Sequence, residues 1–98
     1  MENTLTANGD TEILFAKYAS LTFSGSIDGG TFTLKRLKHG TDASVDSNWI
    51  AVQDKDGVAT YTTSPGGNYF QFGEGVRLRA TLSGATSPAL EYQLLGTG

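Results

Sequence analysis

His39 is the only histidine in the chain, and so the one side chain suited by its ordinary pKa to serve as a general base near neutral pH. A Ser-His-Asp triad needs that base together with a nucleophile and an orienting acid, and nothing in the sequence around His39 marks such a set. It closes a basic run beside Gly40, where a solvated surface histidine is expected. One histidine without any cysteine supplies too few ligands for a zinc site. Asp54-Lys55-Asp56-Gly57 opens like a calcium loop with oxygen ligands at alternate positions, but the later ligands and terminal glutamate are missing, so it reads as a hairpin turn. Asp42 and Asp46, with Asp54 and Asp56 nearby, have the residue type of a glycosidase pair. Those enzymes build deep clefts on larger scaffolds, and the aspartates are read instead as turn formers and solubilising charges. Gly73-Glu74-Gly75 lacks the third glycine and the helix of a dinucleotide fingerprint. No catalytic residue, cofactor or metal is expected, and the chain reads as a binding or assembling protein.

Two groups of residues could serve binding. Lys35, Arg36, Lys38 and His39, joined by Arg77 and Arg79 on a solvent face, concentrate positive charge in a chain of net charge −3. Such a face is either simply solvated or meets an acidic partner. Tyr18, Tyr61, Tyr69, Phe70 and Phe72 are more aromatics than one face of a small sheet needs, so some are expected at the surface or at a subunit contact. The seven Lys and Arg against ten Asp and Glu give no electrostatic reason to bind nucleic acid or an anionic membrane. No secretory signal or membrane-spanning run is read in the sequence, and a soluble protein is expected.

The elements that must position these residues are short strands. Thirteen glycines, abundant Ser and Thr, and no long helix-forming run among 98 residues point to strands joined by turns. The apolar run at residues 11–16 and the alternation at 21–24 give two strands, and Gly25-Ser26-Ile27-Asp28-Gly29-Gly30 a turn. A third strand follows at 31–38, in which Leu37 falls out of phase with Phe32 and Leu34. Residues 39–47 read as a surface loop, followed by strands at 48–53 and 58–62 around the Asp56-Gly57 turn. Further strands are expected at 69–72, 76–82 and 90–94, the second with clean alternation of Val76, Leu78, Ala80 and Leu82. About eight short strands imply an all-β fold, a two-sheet antiparallel sandwich of jelly-roll or Ig-like order over residues 11–98, with residues 1–10 as a flexible N-terminal arm. Its expected core is Phe23, Phe32, Leu34, Trp49, Val76, Leu78, Leu82 and Tyr92, with the Trp49 indole N–H donating a hydrogen bond if buried.

At Leu21-Thr22-Phe23-Ser24-Gly25-Ser26-Ile27-Asp28-Gly29-Gly30-Thr31-Phe32-Thr33-Leu34 the chain resembles small structural proteins of tailed-bacteriophage virions, in which a strand, an SGS-x-DGG turn and a second alternating strand open the domain. Asn48-Trp49-Ile50-Ala51-Val52 and Val76-Arg77-Leu78-Arg79-Ala80-Thr81-Leu82-Ser83-Gly84-Ala85 are similar to the later strands of such chains. The resemblance implies a non-catalytic decoration or cement protein on a phage head, assembled in the host cytoplasm. Its implied partners are the major capsid protein or another virion protein and further copies of itself, a trimer being the expected oligomer. Leu5, Lys35, Arg36, Lys38, His39, Asp42, Arg77 and Arg79 are the expected partner contacts. The alternative is a carbohydrate-binding or host-recognition module of a phage fibre or tail, with Tyr61, Tyr69 or Phe70 stacking on a sugar.

Overall fold

Strict alternation makes Val76, Leu78, Ala80 and Leu82 a buried stripe, and all four lie in one core with Phe23, Phe32, Leu34 and Tyr92. The computed structural model describes residues 3–54 and 57–97. Its strands are β1 (Asn3–Leu5), β2 (Gly9–Asp10), β3 (Leu14–Ser26), β4 (Thr31–Leu37), β5 (Trp49–Ala51), β6 (Gln53–Asp54), β7 (Gly57–Val58), β8 (Thr60–Tyr61), β9 (Gly66–Ser83) and β10 (Ala89–Thr97). Among the described residues a single 3-10 turn, Asp46–Asn48, precedes β5. Among the described residues no helix is long and apolar enough to cross a membrane.

The fold is all-β, and its strands form one antiparallel sheet in the order β1-β10-β3-β9-β4-β5, with β2 beside β9 and β8 beside β4. The pair β6-β7 stands apart as a short ribbon; the Lys55-Asp56 part of its expected turn lies outside the described residues. Where two hydrogen-bonded sheets were expected, β9 links the halves. Its first part, from Gly66 to Gln71, pairs with Phe23 to Tyr18 of β3, while Leu78 to Ser83 pairs with Arg36 to Thr31 of β4. The sheet curls, so that Phe32 on β4 meets Phe23 on β3 edge-on at 5.3 Å and lies 6.1 Å from Tyr92 on β10. Aromatic pairs at these separations add to what burial alone contributes.

Two expected breaks in the chain, after Ala16 and at Gly73-Glu74-Gly75, are the two sides of one irregularity where the longer strands β3 and β9 pair. The β3–β9 register shifts between Ala16 and Tyr18, opposite the stretch containing Gly73-Glu74-Gly75. Glycine there permits a kink without ending the strand. Residues 3–5, expected in an arm, pair with β10, and the Asn8 side chain donates to Ala85 O and accepts from Ala85 N. The Ile27–Gly30 turn has Asp28 at φ 50° and Gly29 at φ 80°, the paired positive angles of a tight turn. It does not join a hairpin, because β3 and β4 are separated by β9; the Asp28 carboxylate instead accepts from Ser87 N at 2.7 Å, tying this turn to the β9–β10 connection.

Candidate functional site

The C-terminal end of β4 and the turn after it run beside the bulged part of β9. Arg36, Lys38, His39 and Arg77 thereby line one groove of roughly 250 Å³ with Phe15, Leu37 and Gly75. The turn is fixed by Thr41, whose N–H and hydroxyl both donate to Lys38 O, and by the Lys38 N–H, which donates to Asn48 O at 2.9 Å. Phe15 faces Arg77 across the strands and is 70% exposed. Its ring lies over Gly75, where a Cβ would come within 2.5 Å of it, so the glycine lets the ring lie flat against the strand. The Arg36 guanidinium sits 5.8 Å from the centroid of the buried Phe72 ring, a cation–π contact on the Leu78 side of the strands, opposite Arg77. Two arginines, a lysine and a histidine beside an exposed aromatic ring, with no aspartate or glutamate in the lining, make a groove suited to an anionic ligand.

A different fate meets Arg79, expected on a solvent face with Arg77. Both point to the outer side of β9, but Arg79 is only 9% exposed, because the 38–48 segment folds over it. Its guanidinium lies 4.4 Å from the Trp49 ring centroid and reaches Asp10 at 3.4 Å and Asp46 at 3.2 Å. The buried Trp49 indole N–H donates to Ala43 O at 2.9 Å, as its burial requires. Arg79 therefore holds the loop to the sheet, and its Nε is buried without a partner among the described residues. Asp10 also accepts from the Thr81 hydroxyl at 2.7 Å.

Of the other expected contacts, Lys35 is half-buried between Ala51 and Arg79 in the strand register, and Leu5 packs against the core. Asp42 organises the loop: its carboxylate accepts from Ser44 N at 2.9 Å and Ser44 Oγ at 2.8 Å, and its carbonyl accepts from the Asn48 amide. The two Ser44 donors hold the carboxyl below the ordinary aspartate pKa. A depressed folded-state pKa means that this stabilisation is complete above the unfolded-state value and is lost as pH falls through the folded one. The Ser44 amide resonance should therefore titrate with a midpoint below that of an aspartate in an unstructured peptide. A midpoint above that, or the same titration in Asp42→Asn, would contradict the assignment. His39 has no carboxylate or hydroxyl partner among the described residues and lies in the groove beside Lys38.

Among the five surplus aromatics, Phe70 and Phe72 are buried and Tyr61 packs 5.0 Å from Phe23, whereas Tyr18 and Tyr69 are exposed. Alternation along β9 carried that signal, since Tyr69 and Gln71 must face away from Phe70 and Phe72. Comparison with family models, with curated proteins and with solved structures gives no match in any of the three.

Proposed function

We propose that this protein is a non-catalytic assembly module that docks on an acidic protein surface through the groove of Arg36, Lys38, His39 and Arg77. The carrying observation is a groove lined by those four residues beside exposed Phe15, in a chain of negative net charge. The positive charge of Arg36, Lys38 and Arg77 steers an acidic partner and rejects a basic one, while the aromatic ring supplies apolar contact area. Arg36 and Arg77 sit on hydrogen-bonded strands, and Lys38 is tied through its backbone to Asn48 and Thr41, so little ordering accompanies docking.

The sequence resemblance supplies the setting: a decoration or cement protein on the outside of a bacteriophage head, with the major capsid protein as partner and a trimer as working form. In this reading the curled sheet serves as a two-layer sandwich whose layers share β9, and Asp42 and Lys35 lie at the rim of the contact.

The test is co-sedimentation of the purified protein with phage heads at low and raised salt, with its oligomeric mass measured by light scattering. Lys38→Glu combined with Arg77→Glu should weaken pelleting about tenfold or more, and added salt should weaken the unaltered protein in the same direction. Undiminished pelleting of the double variant would remove the groove from the proposal. Failure of the unaltered protein to pellet with any head would remove the virion setting.

A further inference from the structure

Three strands present an outer face that takes no part in the basic groove. Direct register partners and alternate residues share a face. One row across the sheet is therefore Thr97, Tyr18 and Gln71, the next Leu95, Ser20 and Tyr69, and the third Gln93, Thr22 and Gly67. These nine positions carry no charge. The nearest charged residues along the strands are Lys17 at the bulge and Glu91, one row beyond the third. Tyr69 is 64% exposed and Tyr18 45%, and they stand as diagonal neighbours, about 7–8 Å apart at Cα. Between Tyr69 and Leu95 the short Ser20 side chain leaves a hollow of roughly 310 Å³. A second hollow of roughly 200 Å³, lined by Thr22, Ser24, Glu91 and Gln93, continues along the same strands.

From this arrangement we propose that the outer face of β3, β9 and β10 is a binding platform for a neutral, linear oligosaccharide. A pyranose ring presents one C–H face, which stacks on an aromatic ring, and hydroxyls around its rim that both donate and accept hydrogen bonds. Tyr69 and Tyr18 offer the rings. Gln71, Gln93, Ser20, Thr22 and Thr97 offer groups that donate and accept in the same way. The three rows carry no charge and leave an anionic or cationic ligand without a counter-ion there, Glu91 standing only at their far end, and the mixture of amides and hydroxyls among the aromatics differs from the apolar centre of a protein–protein interface. The uncharged track from Tyr18 to Thr22 is about 13 Å long at the rise of a strand, room for more than one sugar ring in line.

The test is titration calorimetry of the whole protein with neutral linear hexasaccharides of glucose, xylose, mannose and N-acetylglucosamine. Saturable binding of at least one is expected. Tyr69→Ala should weaken it about tenfold, about 1.4 kcal/mol, while Tyr69→Phe retains most of it. Because Tyr69 is exposed, the alanine variant should keep the far-UV spectrum and melting temperature of the parent, and the Lys38→Glu, Arg77→Glu variant should bind sugar unchanged. The proposal is overturned by absence of binding to all four sugars or by undiminished binding in Tyr69→Ala. It is overturned equally by concentration-dependent self-association that Tyr69→Ala abolishes, since a second copy would then be the occupant.

Discussion

Trp49→Ala is expected to lower the free energy of unfolding by about 3–5 kcal/mol and to free the 38–48 segment from the sheet. The indole is 5% exposed, so its loss removes buried apolar area and leaves a void. It also removes the donor to Ala43 O and the ring face against Arg79. Buried beside a void, Arg79 would keep only the carboxylates of Asp10 and Asp46, the second of which belongs to the loosened segment. Trp49→Phe preserves most of the area and a ring for the guanidinium but strands the carbonyl, and should cost less, about 1–3 kcal/mol. Urea denaturation gives the totals, and amide exchange locates the effect: residues 38–48 should lose protection beyond the fall of the rest. A loss below about 1 kcal/mol in Trp49→Ala would mean that the loop is not held in this way.

Phe32→Ala should cost as much, about 3–5 kcal/mol, for a different reason and with a different signature. Phe32 is fully buried at the point where the curled sheet meets itself, touching Phe23 and facing Tyr92. Its removal deletes contacts between strands that share no backbone hydrogen bonds, so exchange should rise across β3, β4, β9 and β10 together. Small domains hold about 5–15 kcal/mol in all, and this one change could leave a substantial unfolded fraction at 37 °C. If Phe32→Ala loosened β4 alone, the two halves of the sheet would not be coupled through this ring.

These two variants separate what could be read in the sequence from what could not. The main core was legible because strand alternation reports a face, and all eight residues expected inside are buried. Trp49 and its hydrogen bond were legible too, but not the cluster it serves. Asp10, Asp46 and Arg79 come from distant parts of the chain, and no local pattern announces that a loop will cover one outward arginine and leave the next, Arg77, in the open. The groove of Arg36, Lys38, His39 and Arg77 was partly visible as a basic run beside a basic strand; Phe15 was not, because in sequence it sits within an apolar run that reads as interior. Gly73-Glu74-Gly75 carried turn chemistry and made a bulge, since glycine licenses a bend without dictating whether the strand resumes.

That β9 is common to both halves of the sheet also governs how the chain comes into being. A ribosome releases β3 and β4 long before β9, and neither strand has its principal neighbour until residues 66–83 have emerged. Until then β3 has no partner strand among the described residues before it or directly after it, and β4 has only the short β5 and β8. Once β9 arrives, both halves can close on it within one cooperative event, and a polypeptide truncated before it inherits neither half.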